Sequence, residues 1–195
     1  MHPLDWLAAL GLAVLLPIPI YWLVIHPFAA IWKRRRASAA FWTAVPVAAA
    51  IALASLYFLW PRLFAAAATP LWAKALGFML IGLALYVFGR VKNELGAARL
   101  VGQTEVSGGG ELRVVGLYQH VRHPSYAAQM ATMLGICLLA ATATMWALAI
   151  VWLLLLNVAI RFEERELLAR FGEPYRAYRA RVPAFLPFRL RPRDR

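Results

Sequence analysis

The chain has 195 residues, of which 63% are hydrophobic and only 15% are charged, and its formal net charge is +12. This composition excludes a soluble globular domain, and the single cysteine, Cys137, excludes a disulfide framework. A high positive charge can indicate nucleic-acid binding, but basic residues beside apolar runs are typical of loops that face anionic lipid. We therefore expect an integral membrane protein in contact with membrane lipid and with no nucleic-acid partner.

Three apolar runs, each long enough to cross about 30 Å of hydrocarbon, come first in the chain: residues 4–25, 39–60 and 71–89. Pro17 and Pro19 predict a kink in the first run, because proline lacks the N–H that a helix interior needs. A signal peptide is the competing interpretation of this run. However, Asp5 stands where a positive residue is expected and no small-residue cleavage site is obvious, so we expect a retained span. Small residues in the third run would allow close helix approach: Gly77, Gly82, Ala84 and Gly89.

The next apolar run, residues 126–160, contains 35 residues without a charge. This is far more than one span requires, so the run predicts a hairpin of two spans. The turn is expected at residues 141–144, where threonine hydroxyls can satisfy free backbone groups. The sequence thus predicts five transmembrane helices.

Basic residues fall on one side of these five predicted spans. Segments 33–36, 90–122 and 161–195 carry 4, 5 and 10 of the 21 Lys and Arg residues, and only Arg62 and Lys74 lie on the opposite side. Positively charged loops tend to remain in the cytoplasm. We expect the amino terminus outside and the carboxyl terminus in the cytoplasm, in the plasma or inner membrane if the source is bacterial.

The carboxyl-terminal tail carries an amphipathic stripe, with apolar side chains at helical spacing: Leu167, Phe171, Tyr175, Tyr178 and Val182. Gly172 and Pro174 predict a break into two helices. Taken alone, the stripe favours a helix lying on lipid head groups. The predicted fold is therefore all-α and integral to the membrane, with five transmembrane helices, a cytoplasmic connecting loop and a cytoplasmic amphipathic helical tail.

Two charged groups of opposite sign are expected at the same membrane face. The turn GLYQHVRHPSY, residues 116–126, precedes the fourth span, and Glu163 and Glu164 follow the fifth. Charged groups at membrane depth are costly and mark functional sites by default. The alternative is an ion pair between Arg122 and one of the two glutamates that ties the base of the hairpin together.

These segments carry the patterns G-x-Y-x-x-V-R-H-P-S-Y, E-E-x-x-L-x-x-x-F-G-x-x-Y-x-x-Y and V-P-x-x-x-P. Together they resemble the isoprenylcysteine carboxyl methyltransferase family of membrane enzymes, whose relatives include phospholipid N-methyltransferases. The resemblance covers roughly residues 103–187. It implies a membrane methyltransferase that uses S-adenosylmethionine, held at the cytoplasmic side by the last two spans.

The resemblance implies a set of cofactor-binding residues: Gln103, Tyr118, Arg122, His123, Pro124, Ser125, Tyr126, Glu163 and Glu164. It also implies backbone contacts from residues 110–113. We expect Arg161, Glu163 and His123 to be the catalytic residues. In the eukaryotic prenylcysteine enzymes of this family, the resemblance implies a substrate-binding arginine four residues before the cofactor glutamate. Here that position is Ala159, and Arg161 lies nearer to the glutamate, so the departure bears on the substrate more than on the chemistry.

The predicted spans and the extent of the resemblance together suggest a domain organisation. Residues 1–195 form one membrane domain, divided into three spans within residues 1–90 and a catalytic core of residues 91–195, made of a loop (91–125), a hairpin (126–160) and a tail (161–195).

The chemical demands of S-adenosylmethionine fit these residue types independently of the resemblance. Its ammonium needs an acidic partner, its carboxylate a cation or N–H groups, and its adenine an aromatic face. The ammonium can be met by Glu163, and the carboxylate by Arg122 or His123. The adenine can lie on Tyr118 or Tyr126. The acceptor is expected to be a lipophilic small molecule or lipidated substrate, most simply a prenylcysteine carboxylate. A phospholipid amine or a small thiol is the alternative. For a neutral amine or thiol, His120 and His123 could serve as the base that removes its proton.

Three other functions compete with methyl transfer. A metal site is not expected, because Pro124 interrupts helical geometry between His120 and His123 and no third ligand has motif spacing. His2 and His26 stand alone at span ends, where interfacial placement explains them better than ligation. A sterol-reductase-like NADPH enzyme and a membrane scaffold without enzymatic activity are the other two alternatives.

Overall fold

The structure, a computed structural model, describes residues 3–34, 37–65, 68–96 and 111–187, without the side chains of residues 33–41. All regular elements in these ranges are helical: α1 (Pro3–Leu15), α2 (Pro17–Ile25), α3 (Ala29–Arg34), α4 (Ala37–Leu63), α5 (Leu71–Leu95), a 3-10 helix (Gly116–Gln119), α6 (Pro124–Ala140), α7 (Ala143–Phe171) and α8 (Glu173–Arg181). The prediction of an all-α integral membrane fold is confirmed.

Four stretches among the described residues are long and apolar enough to cross a membrane: Pro3–Ile25, Trp42–Leu63, Leu71–Leu95 and Ala143–Phe171. The remaining predicted span is α6, whose 17 residues extend about 26 Å. Two helices continue past their predicted ends. α5 reaches Leu95 instead of stopping at residue 89, and α7 continues from the hairpin to Phe171.

The predicted kink in the first span is confirmed as a break at Leu16, between α1 and α2. Pro19 has no N–H to donate to the carbonyl of Leu15, so that carbonyl lacks its intrahelical partner. The indole of Trp152 on α7 donates a hydrogen bond to this oxygen at 2.8 Å. The proline break therefore creates a fixed contact between the first and last spans.

The predicted hairpin turn is also confirmed. Ala141 adopts a left-handed conformation, with φ of 54°, and ends α6. The Thr142 hydroxyl accepts a hydrogen bond from the Met145 N–H at 3.2 Å and donates one to the Leu63 carbonyl at 3.1 Å. It therefore caps α7 and ties the turn to the end of α4.

Glycines bring α5 and α6 together, but only some of the predicted ones take part. A Cβ atom added at Gly135 would lie 2.7 Å from the carbonyl oxygen of Gly77, and one added at Gly77 would lie 2.9 Å from that of Gly135. Ala84 is buried at 1% exposure. Gly82 and Gly89, in contrast, face open space.

The tail folds back onto protein. α7 ends at Phe171, Gly172 has a φ of 58°, and α8 begins at Glu173, so the predicted break is confirmed. Tyr175 and Tyr178 are 1% and 4% exposed and pack with the apolar side chains of α7 and of residue 112. The interpretation of α8 as a helix lying on head groups is therefore wrong, because its apolar face is covered by protein.

Four segments meet at one end of the helical bundle, here called the site end. It contains the end of α5, the start of α6, residues 161–171 of α7, and α8. α7 is 29 residues long, about 43 Å, so it exceeds the roughly 30 Å of hydrocarbon and its charged last turns project beyond it.

Candidate functional site

The turn before α6 is pinned by the tail through backbone hydrogen bonds. The N–H groups of Arg122 and His123 donate to the carbonyls of Pro183 and Ala184, both at 2.9 Å. Val182 is extended, with φ of −102° and ψ of 126°, as a residue before proline tends to be. The V-P pattern thus turns the chain out of α8 and alongside the R-H turn.

Arg122 and Glu164 form an ion pair inside this junction. The Arg122 guanidinium donates to Glu164 Oε1 through Nε at 3.0 Å and Nη2 at 2.7 Å, and its Nη1 donates to the carbonyls of Val182 and Arg179. Arg179 Nε lies 3.3 Å from Glu164 Oε2. Both Arg122 and Glu164 have side chains that are 12% exposed. Most of the hydrogen-bonding groups of this pair are therefore used within the protein. This agrees with the alternative interpretation, in which an ion pair of Arg122 with a glutamate ties the base of the hairpin together.

The ring of His123 lies between two glutamates. Its Nε2 is 3.2 Å from Glu164 Oε1, within hydrogen-bond range, whereas its Nδ1 is 3.9 Å from Glu163 Oε2. Glu163 Oε2 is buried and has no hydrogen-bond partner in the part of the chain that the structure describes. A buried carboxylate oxygen without a donor costs about 1–3 kcal/mol or more, so Glu163 has a vacant bonding position for a ligand.

Glu163 and His123 open into a cavity of about 500 Å³, a size typical of small-molecule sites. Part of the wall is polar and comes from the site end: Glu111, Arg113, Tyr118, Arg122, His123 and Glu163. Another part is apolar and comes from α2, α4 and α5: Ile18, Trp22, Val45, Ala48, Ala49 and Phe88. The cavity therefore offers a polar compartment joined to an apolar one between spans.

Three tyrosines at the polar wall are held as neutral phenols. Burial raises the pKa of Tyr178 to about 12, and its hydroxyl donates to the Tyr118 carbonyl at 2.7 Å. Burial, reinforced by the charge of Glu163, raises the pKa of Tyr118 above its usual range. The pKa of Tyr175 is also raised, first by burial and then by Glu164 and Glu163. These groups can donate hydrogen bonds or offer ring faces, but they cannot serve as bases near neutral pH.

The structure brings six of the predicted site residues to the cavity wall: Tyr118, Arg122, His123, Ser125, Tyr126 and Glu163. Pro124 is buried at the start of α6, where its missing N–H costs nothing. Gln103 and residue 110 lie outside the described residues, whereas residues 111–113 line the cavity. The roles assigned to all these residues stay predictions.

Arg161 is not part of this cavity. It is exposed, and a residue two positions from Glu163 lies on the far side of a helix of 3.6 residues per turn. Ala159, four positions before Glu163, lies on the same side as Glu163 and is fully buried. Nothing in the structure supports the expectation that Arg161 is catalytic.

Glu94 is a structural anchor that the sequence did not indicate. Its Oε2 accepts a hydrogen bond from the Leu117 N–H at 2.9 Å, and its backbone carbonyl accepts one from Arg113 at 3.1 Å. Gly116, with φ of 54°, allows this contact, because a Cβ atom there would overlap the Glu94 carboxylate. The Gly-x-Tyr pattern is thus seated on the end of α5.

Two further cavity residues, His26 and Gln129, were not among the predicted site residues. His26 is 5% exposed, and its Nδ1 lies 3.1 Å from Glu166 Oε2, so its ring is buried against α7. Its expected position at the membrane interface stays a prediction. The sequence held no signal for this contact, since the two residues are 140 positions apart. Gln129 carried one usable signal, because it is a polar residue within an apolar span.

Metal ligation finds no support in the ranges that the structure describes, where no cluster of three or more His, Cys, Asp or Glu side chains could hold an ion. His120 is exposed and does not line the cavity. The absence of a metal stays a prediction.

Comparison with known proteins gives two matches. The family model described as phospholipid methyltransferase (PEMT) matches residues 72–173, from the start of α5 to the start of α8. Methanethiol S-methyltransferase 2 of Bradyrhizobium diazoefficiens is 40% identical over 84 residues. That alignment covers 43% of this chain and 31% of the relative, so the chain matches about a third of the relative's length. No solved structure matches the chain.

Proposed function

Because the chain belongs to the phospholipid methyltransferase family, we propose that it transfers a methyl group from S-adenosylmethionine to a lipophilic acceptor in this cavity. The observation that carries the proposal is Glu163, a half-buried side chain whose Oε2 atom is buried and unpartnered among the described residues, at the polar wall of a cavity that also has an apolar wall.

The polar wall suits the donor. Glu163 Oε2 can accept a hydrogen bond from the ammonium group of S-adenosylmethionine. The neutral rings of Tyr118 and Tyr175 offer faces for its adenine. For the donor's carboxylate, Arg113 and Arg170 line the same cavity, whereas Arg122 is mainly engaged with Glu164. Bound S-adenosylmethionine would supply an activated methyl group on a positively charged sulfur.

The chain's own contribution is to bind, align and exclude water. Methyl transfer is an in-line displacement, so holding acceptor and donor in the correct geometry can supply up to about 7–11 kcal/mol of the barrier. Glu164 contacts the His123 ring, and the tail hydrogen-bonds to the turn, so contacts within the protein already position the polar wall. The role we assign to His123 is to position the donor against Glu163.

The apolar wall suits an acceptor that enters from the membrane. Ile18, Trp22 and Val45 belong to spans, and their side chains provide a surface for a hydrocarbon group. The distribution of basic residues favours a site end at the cytoplasm, from which polar S-adenosylmethionine can enter. The proposed orientation keeps the amino terminus outside and the carboxyl terminus in the cytoplasm.

Among the acceptor classes, we place a small thiol first. The name of the Bradyrhizobium relative specifies methanethiol, and an apolar wall suits a small uncharged acceptor. The carboxylate of a prenylcysteine is the second candidate, because Arg170 at the cavity wall could pair with it. A phospholipid amine is the third.

Binding of S-adenosylhomocysteine to the purified chain in detergent micelles, measured by titration calorimetry, tests the donor site. Glu163→Gln should weaken binding about tenfold to a hundredfold, because a charge-assisted hydrogen bond contributes about 1.5–3 kcal/mol. Glu173→Gln is the matched control, since Glu173 is exposed on α8 and does not line the cavity. Equal affinity in both variants would remove Glu163 from the donor site.

The same titration separates the other classes of function. Binding of NADPH without binding of S-adenosylhomocysteine would favour a reductase, and binding of neither would favour a scaffold. For the acceptor, transfer of a labelled methyl group should be compared across alkyl thiols, a prenylcysteine analogue and phospholipid vesicles. We expect the thiols to be labelled fastest.

A further inference from the structure

His26 belongs to the cavity wall but has no place in the donor site. It follows α2, in the turn before α3, and its ring stacks on Trp22 with 4.9 Å between centroids and 17° between planes. Its Nδ1 lies 3.1 Å from Glu166 Oε2 on α7. Its Nε2 is buried and has no hydrogen-bond partner within the described ranges. One ring nitrogen is therefore held, and the other is vacant.

This arrangement prepares a histidine to accept a proton. A carboxylate beside Nδ1 favours the tautomer that carries hydrogen on Nδ1, which leaves a lone pair on Nε2. The stacked Trp22 ring fixes the plane in which that lone pair lies. His26 and Trp22 share the cavity with the apolar side chains Ile18 and Val45. His26, which carries the vacant nitrogen, thus lines the compartment that we assign to the acceptor.

We propose that His26 removes the proton of a neutral thiol acceptor and that Glu166 is the residue that positions it. This inference rests on the proposed methyltransferase function. A carboxylate acceptor arrives ionised and needs no base, whereas a thiol that enters from lipid arrives as R–SH. The built dyad at the cavity therefore favours the thiol among the three acceptor classes.

The step balances with the sulfonium donor as the only co-reactant. Nε2 takes the thiol proton, and the sulfur lone pair of the acceptor forms a bond to the methyl carbon. The bond between that carbon and the donor sulfur breaks, and both its electrons stay on the donor sulfur. Two uncharged thioethers result, and the proton passes from His26 to water.

Several titratable or charged groups share the cavity with His26 and must be considered in any pH profile: Glu111, Arg113, Arg122, His123, Glu163 and Arg170. Only His123 among them is a second imidazole, and it is held by Glu164 at the polar wall. A pH profile alone therefore cannot assign the base. The acidity of the acceptor thiol provides the discriminating variable.

The experiment compares two thiols with the purified full chain and saturating S-adenosylmethionine. Benzyl mercaptan is protonated at neutral pH, whereas nitrothiophenol is ionised. With benzyl mercaptan, His26→Gln should lower kcat about 10²–10⁴-fold, with little change in KM, and the rate should then rise with pH as the free thiol ionises. With nitrothiophenol the loss should be less than about tenfold, because no proton has to be removed. Glu166→Gln should show the same pattern with a smaller loss.

Binding of S-adenosylhomocysteine by calorimetry is the second measurement and should be unchanged in His26→Gln. Equal losses with both thiols, or loss of this binding, would overturn the inference, because His26 would then support the fold or the donor. If His26→Gln fails to fold, Glu166→Gln carries the same comparison. Failure of the proposed function looks different, since the wild-type chain would then bind no S-adenosylhomocysteine and methylate neither thiol.

Discussion

Replacing Arg122 by methionine tests whether this residue ties the site together or binds the donor. Arg122 donates two hydrogen bonds to Glu164 Oε1 and further ones to the carbonyls of Val182 and Arg179. Removing one partner of a buried ion pair typically costs about 3–5 kcal/mol. Arg179 and His123 remain beside Glu164 and compensate part of its charge, so we expect a loss of about 3 kcal/mol, at the lower end of that range.

The loss can be measured by equilibrium unfolding in mixed micelles, followed by tryptophan fluorescence. A double-mutant cycle with Glu164→Gln should give a coupling energy of about 1–3 kcal/mol. Arg176→Met is the matched control, because Arg176 pairs with Glu173 at the exposed surface of α8, and it should cost less than about 1 kcal/mol. An Arg122→Met chain that keeps full stability but loses S-adenosylhomocysteine binding would refute the structural role and make Arg122 a donor ligand.

Two predictions concern the packing of the spans. Trp152→Phe should reduce the free energy of unfolding by about 0.6–2 kcal/mol, because the carbonyl of Leu15 loses its hydrogen bond in the buried interior of the helical bundle; an unchanged value would mean that water or another group replaces the indole. Gly135→Ala should cost about 1–3 kcal/mol, since its Cβ would lie 2.7 Å from the Gly77 carbonyl oxygen. Gly82→Ala, which faces open space, is the control, and equal losses in the two alanine variants would contradict the close approach of α5 and α6.

The sequence predicted those parts of the fold that depend on local chemistry. Proline at positions 17 and 19 broke the first helix, threonine at 142 capped the hairpin, and glycine at 172 ended α7. Each effect arises from one residue acting on its own backbone. Helix ends were predicted less well, because α5 and α7 continue beyond the apolar runs with charged residues that a helix accommodates outside lipid.

Part of the polar wall of the cavity could also be predicted, because the order of the spans brings its residues together. His123 and Glu163 stand at the two ends of a charge-free hairpin, so the topology alone brings them to one membrane face. The charge pattern suggested an ion pair between Arg122 and one of the two glutamates but could not tell which. In the structure the partner of Arg122 is Glu164. Arg161 does not line the cavity, because sequence proximity to Glu163 says nothing about which side of the helix a residue occupies, and its catalytic role stays a prediction.

The apolar wall, which we propose holds the acceptor, could not be predicted from the sequence. Its position in the chain explains why it was harder to predict than the polar wall. The family match begins at residue 72, so it includes Glu163 and His123 but not α2 or α4. Those two helices provide Ile18, Trp22 and Val45 to the cavity, and His26 follows α2. If methyl donation is common to relatives while acceptors differ, we expect the donor residues to lie within the matched segment and the acceptor residues before it. Exchanging residues 1–65 with those of a relative that has a different acceptor should therefore change which acceptor is methylated and leave S-adenosylhomocysteine affinity unchanged. A chimera that keeps its original acceptor would place specificity within residues 72–173 instead.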